Sequence, residues 1–120
     1  MKICEAIAKA KELATENGII LELNEKIFAD AKHLDASDYA DDTEIMSMQY
    51  KGYLVNVYIG CWDSFKELGT KWIDYDIFYN EDELMNDGDD ICETNNVLKA
   101  ATDIEFYINK IEKIISKKEC

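Results

Sequence analysis

Apolar residues follow two rhythms along this 120-residue chain. Near the start, Ile3, Ile7, Ala10 and Ala14 recur at spacings of three and four, with Ala6 and Leu13 beside them. That spacing gathers them on one face of an amphipathic helix over residues 2–16. Asn17-Gly18 predicts its end, because glycine accepts the left-handed conformation that closes many helices. Residues 19–23 read as a short strand or an extended linker. Asn24 predicts a cap for a second short helix reaching about Leu34, with Ile27, Phe28 and Ala31 facing inward.

After a polar acidic loop at 35–42, the period changes to two. Glu44–Tyr50 and Tyr53–Gly60 are strand-like runs joined by Lys51-Gly52. A two-residue link ending in glycine predicts a tight hairpin, although lysine is less typical than asparagine at the first turn position. That turn sets Tyr50 opposite Tyr53, Met48 opposite Val55 and Met46 opposite Val57. These apolar residues then share one face, so turn and pattern predict the same register. The other face carries Ile45, Ser47, Gln49, Leu54, Asn56 and Tyr58, a mixed set that offers a self-contact in an oligomeric module.

Residues 61–71 are too irregular to read. Trp72–Tyr79 alternates as a third strand, with Ile73, Tyr75, Ile77 and Tyr79 toward the core and Asp74 and Asp76 toward water. Residues 80–93 read as a second acidic loop with one helical turn at 81–85. From about Thr94 to Lys117, Leu98, Ala101, Ile104, Ile108, Ile111 and Ile115 mark a single long helix, with Lys113, Lys117 and Lys118 at the end that favours cations. The predicted fold is one α+β domain over residues 1–120. It has two layers: a three-stranded antiparallel sheet (hairpin 44–60 plus strand 72–79) packed by an N-terminal helix and a long C-terminal helix.

Composition supports a folded domain: 48% of residues are apolar, more than disordered chains carry. No apolar run approaches the roughly 20 residues of a membrane span. Glu5 stands where a secretory peptide would begin its apolar stretch, so a cytoplasmic protein without a leader is expected. Cys4, Cys61, Cys92 and Cys120 are widely spaced, which suits reduced thiols; Cys120 is a candidate for oxidation between chains.

Charge changes the picture. The chain has no arginine, no proline and a net charge of -13. Residues 35–93 hold sixteen acids against three lysines, whereas the segments on either side are nearly neutral. Such a balance argues against direct nucleic-acid binding, where arginine is the usual phosphate anchor. Concentrated like charge is self-repelling, which points to a docking surface for a cationic partner.

Catalytic chemistry is hard to assemble. The single histidine, His33, has no cysteine near it in sequence; the glycines are isolated; and no carboxyl pair is set apart from its neighbours. An enzyme is not expected, nor is a cofactor. The stretch 82–93 invites comparison with a calcium loop, but Leu84 falls at the third position and Asp87 where glycine is required. No metal site is expected.

Binding remains. The candidate partner-facing residues are Asp38, Asp41, Asp42, Asp74, Asp76, Glu81, Asp82, Glu83, Asp87, Asp89 and Asp90, with Trp62 and Trp72 as aromatic anchors. Carboxylates on alternate residues of a strand stand ~6.8 Å apart, a regular row of negative charge of the kind a nucleic-acid backbone presents. In size, charge and lack of a catalytic set the chain resembles small acidic inhibitors: anti-CRISPR proteins, other DNA mimics, and immunity proteins of nuclease toxins. The resemblance implies a basic partner, a nuclease or another nucleic-acid-binding effector, whose nucleic-acid surface is occupied. The alternatives are an immunity protein or antitoxin for a toxin without a nucleic-acid groove, and a small-ligand-binding or enzymatic domain.

Overall fold

The computed structural model describes residues 2–29, 35–60, 72–80, 82–85, 94 and 96–118. Their order is helix α1 (Ile3–Glu16), strand β1 (Ile20–Leu23), helix α2 (Glu25–Ala29), a 3-10 turn (Ala36–Asp38), strands β2 (Glu44–Tyr50), β3 (Tyr53–Gly60), β4 (Trp72–Tyr79) and β5 (Asp82–Met85), and helices α3 (Val97–Thr102) and α4 (Ile104–Lys118). The fold is α+β, with an antiparallel sheet and helices at both ends of the chain.

The sheet has five strands in sequence order, not three. Its middle forms as predicted. Tyr50 pairs with Tyr53, Met48 with Val55 and Met46 with Val57; β4 continues the rows, with Val55 opposite Ile77 and Val57 opposite Tyr75. These residues make one buried face. The extra strands lie at the two edges. Of the two readings for residues 19–23 the strand holds, since β1 pairs with β2 from Ile20↔Gln49 to Leu23↔Met46. The helical turn expected at 81–85 is instead β5, which folds back on β4 with Asp82 opposite Tyr79. Asn80 makes that reversal at φ +51, a left-handed value that asparagine tolerates better than most residues. Pairing with β5 gives backbone partners to the Ile77–Tyr79 end of β4.

Ile45, expected on the mixed face, is fully buried. A register shift between Glu44 and Met46 leaves it as the extra residue of a bulge. Asn24 closes on that bulge: its backbone N–H donates to the Ile45 carbonyl at 2.9 Å, and its side-chain amide donates to the Glu44 carbonyl at 2.7 Å. The Asn24 side-chain oxygen also accepts from the Lys26 N–H, capping α2. Ala31 and Leu34, expected in that helix, lie outside the described residues, as does His33.

The single C-terminal helix is two. The backbone of Asp103 leaves the helical region at φ -81, ψ 65, and its carboxylate accepts from the Phe106 N–H at 3.4 Å. Asn96 caps α3 by accepting from the Lys99 N–H at 3.0 Å, so the helix starts three residues later than predicted. The break falls between Ala101 and Ile104, both buried, so the apolar rhythm runs through it unbroken. α3 packs on α1 and β2. α4 brings Ile104, Tyr107 and Ile111 into the core, where Tyr75 meets Phe106 and Tyr107 edge-on at ring distances of 5.7 and 5.8 Å. The Tyr107 hydroxyl donates to the Ala100 carbonyl at 2.6 Å, tying α4 back to α3. Among the described residues no helix is long and apolar enough to cross a membrane.

Candidate functional site

Three exposed acids from the candidate set come together at one end of the sheet. Asp35 holds the loop start, its carboxylate accepting from the Ser37 N–H at 2.8 Å, while Ala36 is buried beneath. Asp38, Asp41 and Asp42 follow on the outside. The loop is fastened where β3 ends: the Asp42 N–H donates to the Ile59 carbonyl and the Ile59 N–H to the Thr43 carbonyl, both at 2.9 Å. Asp42 takes φ +65 to make this turn, a conformation aspartate tolerates better than bulky residues. The Thr43 hydroxyl donates to the Ala40 carbonyl at 2.6 Å, which stiffens the same corner.

Glu44 and Asp35 extend the cluster, and the expected set contained neither. Both are exposed, and residues 35–44 hold five carboxylates and no lysine. Trp72 stands at the same end, opposite Gly60 and partly exposed.

The other candidates go elsewhere. Asp74, expected to face water, is 1% exposed. Its carboxylate lies against its own strand, accepting from the Tyr75 N–H at 3.1 Å. A buried carboxylate held by hydrogen bonds is not offered to a partner, because freeing it would cost its bonds and its burial. Asp76 is half-buried and accepts from the Tyr58 hydroxyl at 3.0 Å. The acidic row predicted along β4 therefore does not form. Asp82 is exposed, but it sits opposite Tyr79, at the hairpin end of the sheet. Asp42 bonds to Ile59, whose partner is Ile73. Six residue steps separate the two ends, about 20 Å along a strand and about two and a half Debye lengths at physiological salt. Asp82 does not share a field with the corner. Glu83 belongs to β5, paired through its backbone with Phe78. Trp62, Glu81, Asp87, Asp89 and Asp90 lie outside the described residues.

Among the described residues no group of three His, Cys, Asp or Glu side chains could hold a metal ion. Cys4 is an exposed free thiol. The described residues line a groove of about 580 Å³ beside β1 and a depression of about 290 Å³ between α1 and the α3–α4 junction. Neither adjoins Trp72. No family model, curated protein or solved structure matches this chain.

Proposed function

We propose that the chain is an acidic inhibitor that docks on the basic nucleic-acid-binding surface of a partner protein. The contact is the corner formed by Asp38, Asp41, Asp42 and Glu44, with Trp72 beside it. The observation that carries this reading is the pinned, exposed run of five carboxylates at 35–44 with no lysine among them. Carboxylates held on a braced loop lose little conformational freedom on docking, so more of their attraction survives as affinity. Their field speeds encounter with a cationic surface and selects against acidic ones. A partly exposed tryptophan supplies the apolar anchor that charges lack.

The test is competition. The purified chain is added to a panel of basic nucleases and nucleic-acid-binding effectors holding a labelled duplex, and release is read by fluorescence anisotropy at about 50 mM and about 300 mM salt. The expected result is release from one or more of them that weakens as salt rises and disappears in D38K/D41K/D42K. Binding that tolerates salt and triple reversal alike would overturn the reading and favour a toxin partner without a nucleic-acid groove.

A further inference from the structure

β1 is an edge strand, and the sheet register says which of its groups face outward. The Asn24 N–H points inward to the Ile45 carbonyl. In antiparallel pairing every second residue points the same way, so Glu22 and Ile20 bond inward to β2. The N–H and C=O groups of Leu21 and Leu23 therefore point away from the sheet. β1 has no proline, lysine or bulge of its own; what marks its edge is its shortness, four residues, and the charge of Glu22.

The side chains of the same two leucines lie on the helix-covered face and line the 580 Å³ groove together with Ile7 and Phe28. Glu22 and Glu25 are exposed at its rim, and Lys11 stands on the α1 wall. On the opposite face of β1, Ile20 is 60% exposed.

We propose that this edge accepts an extended strand from a partner, in which apolar residues alternate with lysine or arginine. The strand would pair with the outward groups of Leu21 and Leu23. Its apolar side chains would enter the groove, and its alternate side chains would lie beside Ile20 and Glu22 on the other face. Strand addition of this kind takes affinity from main-chain bonds and specificity from alternate side chains. Charge selects the occupant. A second copy centred on Glu22 would set the two Glu22 carboxylates directly opposite each other, which is destabilising, and would bring together two chains of net charge -13. A cationic strand meets Glu22 and Glu25 favourably. Asn24 also ties this rim to Glu44, continuing the acidic margin.

The probe is a capped peptide of about seven residues, a common strand length, alternating lysine and valine. It is titrated into the full chain with amide hydrogen exchange followed by NMR. The Leu21 and Leu23 amides should slow about tenfold or more as they become paired. Alternate N-methylation along the pairing edge of the peptide should abolish the effect, and E22K/E25K should weaken binding about tenfold, with an unchanged urea midpoint. D38K/D41K/D42K should leave the peptide binding intact, which separates this site from the acidic corner. Three results would each overturn the proposal: peptide shifts confined to residues 35–44, equal binding of a glutamate–valine peptide, or Leu21 and Leu23 already protected in a concentration-dependent dimer.

Discussion

Lys51 has a local role in the hairpin turn and a long-range one at α4. It adopts φ +51 at the hairpin turn, where asparagine or glycine is easier. Its ammonium reaches the Glu112 carboxylate at 2.7 Å, and the Tyr50 hydroxyl donates to the same oxygen at 2.7 Å. The hairpin tip is thereby tied to α4 across 61 residues of chain. The hydrogen bond from Lys51, followed by that from Tyr50, holds the Glu112 carboxyl below its ordinary pKa. The bond to Glu112, followed by one to Tyr50, raises Lys51, and the bond to Glu112 with burial raises Tyr50. The signs predict two limits. The Glu112 contribution is full above the ordinary carboxylate pKa and is lost as pH falls through its lowered folded value. The Lys51 and Tyr50 contributions are full below their ordinary values and are lost as pH rises through their raised ones. Both ions are half-exposed, so solvent screens the pair and the effect is small. E112Q should therefore lower the urea midpoint at neutral pH, and its deficit should close in acid. A deficit constant from neutral pH down to about pH 2 would show that charge plays no part.

At the scale of elements, the central hairpin and α1 were legible because local chemistry and burial agree there. Tyr50, Lys51, Gly52 and Tyr53 specify a turn, and that turn aligns Met46, Met48, Tyr50, Tyr53, Val55 and Val57 on one face. The division of the C-terminal helix was not legible, because Asp103 sits on the polar side of a stripe that continues through it. β5 was hidden for a different reason. It is four residues long within an acidic stretch, and only the exposed edge of β4 makes it a strand. The cap of α3 carries a prediction of its own. Asn96→Ala removes the acceptor for the Lys99 N–H and should cost about 1 kcal/mol, whereas Asn96→Asp should cost far less. Urea denaturation of the two variants checks this, and equal losses would mean the side chain matters for something other than capping.

The whole molecule measures 42 × 34 × 21 Å. A net charge of -13 on so small a body opposes compaction. Raising salt from about 20 mM to about 300 mM should accordingly raise the melting temperature, since screening relieves repulsion over this range. A melting temperature that falls with salt would mean that attractive pairs outweigh the repulsion. The same scale decides the candidate site. Charge counting marked residues 35–93 as one acidic tract, but the fold sends Asp42 and Asp82 to opposite ends of the sheet and buries Asp74 between them.

The linear chain determined whatever depends on neighbours a few residues away: the period of α1, the Lys51-Gly52 turn, the pairing of β2 with β3, and the excess of carboxylates in the middle of the chain. Tertiary structure decided what depends on distant partners. Alternation says that Asp74 points away from the core face, but not whether that second face is open, so its burial had no local signal. Likewise, no short-range pattern distinguishes an edge strand from a linker until β2 lies beside it. Periodicity reports direction relative to the backbone; exposure is set by what the rest of the chain brings to that side.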